Sequence, residues 1–222
     1  MNFSSEWEDS FQANTHMSLW PWSDLISFVM RYSKPRAKSL RVLELGCGAG
    51  ANIPFFLSQD MEYYAIEGSR TIVENVVRRY PMLEDNIIVG DFTTEFPLSL
   101  GQFDLIVDRA ALTHNTTSAI QNTITHIYNR LNPMGKFIGI DWFSTQYSDY
   151  RQGKQAEDVY TRTGYTEGSF AKLGRVHFSD KKHLLELFEK FDMLVMEHKT
   201  VKREVPDNDW NFASWNFVAQ KI

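Results

Sequence analysis

The sequence is short of cysteine, of concentrated basic charge and of long apolar runs, and each shortage excludes a class of function. A single cysteine, Cys47, rules out an internal disulfide and leaves no second thiol for a zinc cluster or a redox pair. Lys and Arg number 23 against 28 Asp and Glu, giving a net charge of −5, and no basic run supplies the positive surface that phosphate binding needs. Nucleic acid is therefore not expected as a partner. No stretch approaches the roughly 18 apolar residues of a membrane span. The opening MNFSSEWEDS is acidic and lacks the basic and apolar regions of an export signal, so a cytoplasmic location without a membrane anchor is expected. What is present is 43% hydrophobic and 14% aromatic residues over 222 positions, enough to bury a substantial core.

No repeat or low-complexity linker divides the chain, and its apolar runs alternate between strand and helix spacing. Leu40 to Leu45 is a short apolar run ending at glycines, which predicts a buried strand. Asn52 to Ser58, with Pro54 in its first turn, predicts a helix, and Tyr63 to Ile66 a second strand. A helix from about Thr71 to Tyr80 with an Ile72, Val73, Val76, Val77 stripe leads to strands at 87–89 and 103–107. Ile120, Ile124, Ile127 and Leu131 recur at helical spacing, Asn132, Pro133 and Gly135 are expected to end that helix, and Lys136 to Ile140 predicts a fifth strand. A helix near 181–191 precedes two β-rich segments, 193–200 and 212–219, close enough to pair at a sheet edge. The expected fold is α/β: a Rossmann-like doubly wound sheet, mostly parallel with a C-terminal antiparallel hairpin and helices on both faces. One domain over 1–222 is expected, with a helical cover over 1–38 that includes an amphipathic helix marked by Trp22, Leu25, Ile26, Val29 and Tyr32. A polar, Tyr- and Gly-rich lid or insertion is expected over 144–176.

The strongest local signal is RVLELGCGAG, Arg41 to Gly50, where a strand runs into alternating glycines before a helix. Glycines there permit close backbone approach to a ligand, and the amides at a helix start favour anionic groups. Gly46, Gly48 and Ala51 also satisfy the G-x-G-x-x-A dinucleotide fingerprint, and Glu67 follows about 20 residues on, where a carboxylate accepts ribose hydroxyls. The spacing thus indicates an adenosine-type cofactor without naming it.

Val42 to Gly50 with Glu44 before the first glycine, Ala65 to Ser69 (AIEGS) and Gly90 to Phe92 (GDF) resemble class I S-adenosylmethionine-dependent methyltransferases over about residues 40–142. The resemblance implies S-adenosyl-L-methionine as cofactor. It places Gly46, Gly48 and Gly50 along the methionine part, with Glu44 shaping that loop or facing the ammonium. It places Glu67, followed by Gly68, on the ribose, Asp91 on the adenine amino group with Phe92 beside the ring, and Asp108 near the methionine end. Phe103 to His114 also resembles the Asp-Arg-x-Ala-Leu stretch of thiopurine-type methyltransferases, which gives Arg109 an active-site role. WPWSDL and the late GRVHFSD are similar to bacterial methyltransferases associated with surface-polysaccharide pathways.

Methyl transfer from a sulfonium requires acceptor and donor to be held in line, and a hydroxyl acceptor gains from a base that takes its proton. Ligands of doubly wound sheets lie beyond the carboxyl ends of the strands, so His114, Arg109 and Asp141 are the candidate catalytic residues. His177 and Tyr147, Tyr150, Tyr160 or Tyr165 approach from the lid side, while packing or surface roles are expected for His126, His183 and His198. The acids and histidines show no metal-binding spacing such as H-E-x-x-H, so no metal site is inferred. The polar lid suits a small polar acceptor, foremost a hydroxyl of a sugar or nucleotide sugar. The alternatives are an NAD(P)-dependent oxidoreductase on the same glycine loop and a noncatalytic cofactor-binding subunit.

Overall fold

A computed structural model describes residues 5–13, 15, 17–34 and 39–222. In chain order its strands are β1 Arg41–Leu45, β2 Glu62–Glu67, β3 Ile87–Val89, β4 Phe103–Arg109 and β5 Leu131–Phe143, then the short β6 Lys154–Gln155, β7 Thr161–Thr163 and β8 Val176–His177, and finally β9 Phe191–Lys202 and β10 Asn211–Lys221. The helices are α1 Ser5–Gln12, α2 Ser23–Tyr32, α3 Ile53–Ser58, α4 Arg70–Arg79, α5 Thr117–Arg130 and α6 Lys181–Leu187. The parts of the expected N-terminal cover at 1–4, 14, 16 and 35–38 lie outside the described residues.

Seven strands form one sheet in the order β3-β2-β1-β4-β5-β10-β9. β3, β2, β1, β4 and β5 run parallel, and β10 pairs antiparallel with both β5 and β9. The doubly wound sheet ending in an antiparallel pair is thus the one expected. Alternate residues of one strand feed different cores: Val42 and Ile138 pack with Leu25, Phe56 and Val76 on one face, while Leu43 and Phe137 pack with Ile124, Phe188 and Phe217 on the other. A sheet covered on both faces needs largely apolar strands, and β1 shows this with Val42, Leu43 and Leu45 all buried.

Capping side chains set the helix starts. Ser69 Oγ accepts from Ile72 N (3.1 Å) at α4, Thr116 Oγ1 from Ala119 N (3.2 Å) at α5, and Asp180 Oδ1 from His183 N (2.8 Å) at α6. One boundary differs from expectation. Asn132, Pro133 and Gly135 do not form a loop after α5; β5 starts at Leu131, directly on the helix end, and its register against β4 shifts before Leu105. The irregular start of a strand tolerates a proline and a glycine that a regular ladder would not.

Strand order reverses at β1, which is flanked by β2 and β4, so the turns after β1, β2, β3 and β4 gather over one crevice. Two further segments reach it. β6, β7 and β8 make a small antiparallel sheet within the 144–176 insertion, over an aromatic cluster that includes Phe143, Tyr147, Phe170 and Phe178. At the N-terminal side α2 buries Leu25, Phe28 and Val29. The preceding α1, which the sequence reading did not anticipate, packs on α4, where Thr71 Oγ1 donates to Glu8.

Candidate active site

The turn after β1 closes around two glycines for two different reasons. Gly46 has φ +68°, and a Cβ there would lie 2.4 Å from Ala111 Cβ, so the β1 and β4 turns meet only because Gly46 lacks a side chain. Gly48 has φ +49°, and a Cβ there would meet nothing within 4 Å, because this part of the loop faces an open cavity. The buried Glu67 carboxylate at the end of β2 ties the loop down, accepting from Gly48 N (2.9 Å) and Ser69 N (3.0 Å). Burial raises its pKa and these amides pull it back.

Behind the loop, Glu44 is buried and accepts from Asn52 Nδ2 (2.7 Å) and Tyr63 O–H (2.6 Å). Burial pushes it up to about 7 against those two donors. Asn52 Oδ1 in turn accepts from Trp22 N (3.2 Å), which joins the entry to α2 to the glycine loop.

The cavity measures about 520 Å³, a volume typical of ligand sites. Glu44, Gly46, Gly48, Glu67, Gly68, Asp91 and Phe92 all line it. Asp91 Oδ1 also accepts from Thr93 N (2.9 Å) and Thr93 Oγ1 (2.6 Å), so this acid caps its own turn as well as facing the cavity. Among the described residues, Gly50, Asp108 and Asp141 stand outside the walls. A Cβ on Gly50 would face Ile53 and Val76. The fully buried Asp108 accepts from Ala111 N (3.1 Å), Leu112 N (3.0 Å) and Trp142 Nε1 (2.6 Å), so its carboxylate braces the β4 turn instead of facing the methionine end. Burial raises it to about 7.

Asp141 has the chemistry expected of a base but different surroundings. Its Oδ2 accepts from Arg109 Nη2 (3.1 Å), and its Oδ1 accepts from Lys199 Nζ (3.0 Å) and Ser214 Oγ (3.2 Å). Lys199 also pairs with Asp24 of α2 at 2.6 Å. Asp141 is thus the centre of an ion-pair cluster, with both oxygens engaged. Arg109 does line the cavity, and its guanidinium lies 3.6 Å from the centroid of the Trp22 ring.

His114 lines the cavity between Trp7 (4.8 Å between ring centroids), Phe143 (5.9 Å) and Phe170 (6.3 Å). Its Nδ1 is 3.3 Å from the Arg175 carbonyl. A carbonyl only accepts, so Nδ1 carries the hydrogen in this contact. Of the lid-side candidates, Tyr147 is in the wall, whereas His177 is buried against His183, their Nε2 atoms 3.2 Å apart. Among the described residues no three His, Cys, Asp or Glu cluster to hold a metal ion, and no helix is long and apolar enough to cross a membrane.

The walls fit an adenosyl cofactor on two observations. Gly48 leaves room that any side chain would fill, and the buried Glu67 retains acceptor capacity, since a carboxylate has about four lone-pair sites and two amides do not saturate it. Residues 42–135 match the family profile described as a methyltransferase domain. That stretch of the chain thus carries a methyltransferase domain. No curated protein matches its sequence. Among solved structures, this chain is similar to an S-adenosylmethionine-dependent methyltransferase of Methanosarcina mazei (TM-score 0.67, 15% identity, 92% of this chain and 99% of that one). It is also similar to the 1,6-didemethyltoxoflavin-N1-methyltransferase of Burkholderia thailandensis, solved with its substrate and S-adenosylhomocysteine (0.63, 15%, 98% and 84%). A third is the N-methyltransferase NodS of Bradyrhizobium japonicum with S-adenosylhomocysteine (0.59, 15%, 89% and 86%). At these identities the likeness carries the fold, and the matched stretch at 42–135 is what points to methyl transfer over the nicotinamide alternative.

The remaining wall was missed in the sequence. Trp7, Phe143, Phe170, Leu173, Trp210 and Phe212 complete the cavity from segments far apart in the chain. Their only advance signal was the density of aromatic residues in the insertion and near the termini.

Proposed function

We propose that this methyltransferase acts on a small molecule enclosed by its aromatic wall, with His114 as the group that takes the acceptor's proton. In this reading Glu67 holds the ribose hydroxyls, Asp91 and Phe92 hold the adenine, and the amides of the glycine loop with Gly68 hold the methionine end. When bound, S-adenosylmethionine supplies an electrophilic methyl group. His114 accepts a proton at Nε2, its ring oriented by the Nδ1–H bond to the Arg175 carbonyl. Arg109 is held by Asp141 and Trp22 as a fixed positive charge at the cavity wall. The insertion over 144–176 acts as a lid whose Tyr147, Phe170 and Leu173 keep water from the acceptor.

The observation that carries this reading is a single cavity whose walls combine buried strand-end carboxylates with aromatic rings, with His114 in contact with those rings. A cavity of this size and an acidic chain support a metabolite over a polymer. The test has two stages. Calorimetry on the folded chain is expected to show S-adenosylhomocysteine binding with one site, and incubation with methyl-labelled S-adenosylmethionine and fractionated small metabolites is expected to yield a labelled small product. Absence of cofactor binding would remove the reading, and label appearing only in protein or nucleic acid would replace its acceptor class.

A further inference from the structure

The end of the cavity away from the glycine loop has a chemistry of its own. We infer that it is a subsite for a planar aromatic or heteroaromatic acceptor, in preference to a polyhydroxylated ring; the inference rests on the methyl-transfer reading above and narrows its substrate class.

Six aromatic rings from separate parts of the chain form this end: Trp7 from α1, Phe143 from the end of β5, Tyr147 and Phe170 from the insertion, and Trp210 and Phe212 at the start of β10. They brace one another edge to face. Phe143 and Phe170 lie 4.9 Å apart at 65°, Tyr147 and Phe212 5.2 Å apart at 70°, and Tyr147 and Trp210 6.3 Å apart at 90°. Rings fixed this way present set faces and edges to a flat guest, and aromatic pairs prefer these tilted contacts over random apolar packing.

The polar inventory points the same way. Near these rings the wall offers the Tyr147 hydroxyl, Ser169 and His114. His114 Nδ1 is already bonded to the Arg175 carbonyl. A sugar entering here would give up water on several hydroxyls and find few partners for them. A flat ring carrying one O–H or N–H needs a single polar partner, and His114, in edge contact with Phe143 and Phe170, is placed to provide it. This inference departs from the sugar hydroxyl expected from the sequence.

The test titrates the full chain, saturated with S-adenosylhomocysteine, with 2-naphthol, 6-hydroxyquinoline and methyl α-D-glucopyranoside by calorimetry. At least one planar compound is expected to bind about tenfold or more tighter than the glucoside. Trp210→Ala, at a half-buried position where folding is not at stake, is expected to weaken that binding by about 3- to 10-fold, the worth of an aromatic contact. Phe212→Leu, which keeps apolar volume and removes the ring, is expected to weaken it in the same direction. Glucoside binding equal to or tighter than both planar compounds, failure of both planar compounds to bind, or indifference to both substitutions would overturn the subsite while leaving the enzyme's class intact. Failure of S-adenosylhomocysteine to bind would instead overturn the reading beneath it.

Discussion

The two ends of the cavity are built by opposite means. The glycine-loop end, where we place the cofactor, comes from one stretch, Glu44 to Phe92, and its shape is fixed by hydrogen bonds: Glu67 to the amides of Gly48 and Ser69, Glu44 to Asn52 and Tyr63. The aromatic end, where we place the acceptor, comes from residues as distant as Trp7 and Phe212, and its shape is fixed by rings packed on rings. Directional bonds demand particular residues at particular spacings, whereas apolar packing accepts many residues of similar volume. One chain can therefore hold a fixed cofactor site beside a wall whose residues set the acceptor, and substitutions at the two ends should separate in what they damage.

The sharpest break is expected at the boundary. His114→Ala should lower turnover by roughly 10²- to 10⁴-fold, the usual worth of a positioned base, while S-adenosylhomocysteine affinity stays nearly unchanged. Single-turnover rates with the first acceptor found, set beside calorimetric affinities, read both quantities. A fully active variant would reduce His114 to a packing residue. Next in size is Glu67→Ala, expected to weaken S-adenosylhomocysteine about 10- to 100-fold, because a buried carboxylate that organises loop amides and faces the ligand is worth about 1.5–3 kcal/mol. Unchanged affinity would contradict the ribose assignment. Gly48→Ala is smaller. It should cost about 1–2 kcal/mol of stability for a left-handed backbone and lower cofactor affinity, since its methyl enters the cavity and not the core. Urea unfolding and calorimetry on the same sample separate the two effects, and a variant with intact affinity would place the ligand away from this loop.

The same contrast explains what was legible in the sequence. The parallel strands were, because a strand buried on both faces is a largely apolar run, and the glycine-loop end was, because its residues fall in one stretch. α1 was not: its eight residues, three of them acidic, carry no apolar stripe beyond Trp7 and Phe11, four apart. β6 to β8 span two or three residues each, too few for alternation to show. Asp108 and Asp141 sit at strand ends as site acids do, and nothing adjacent in sequence distinguishes them. Their partners, Trp142 for one and Lys199 and Ser214 for the other, are brought in only by the sheet. The aromatic wall was illegible for the same reason, since its members share a cavity and not a stretch of chain.

The smallest expected effect is one of sign, and it sets the two regions against each other directly. His177, buried beside the insertion, has its pKa lowered to about 3, first by burial and then by His183. The fold keeps it neutral, while the unfolded chain takes up its proton below about 6.5, so its contribution is complete above that value and is lost as pH falls toward 3. Glu44, buried behind the glycine loop, runs the other way. Its folded pKa of about 7 lies above the ordinary 4.5, so its contribution is complete below 4.5 and is lost as pH rises to about 7. Acidification from about pH 7.5 to 5.5 thus removes roughly 1.4 kcal/mol through His177 and restores a comparable amount through Glu44. Urea unfolding at the two pH values is expected to show His177→Gln gaining more stability on acidification than the parent chain and Glu44→Gln gaining less. Profiles parallel to the parent for both variants would mean that neither buried group keeps the protonation state its surroundings impose.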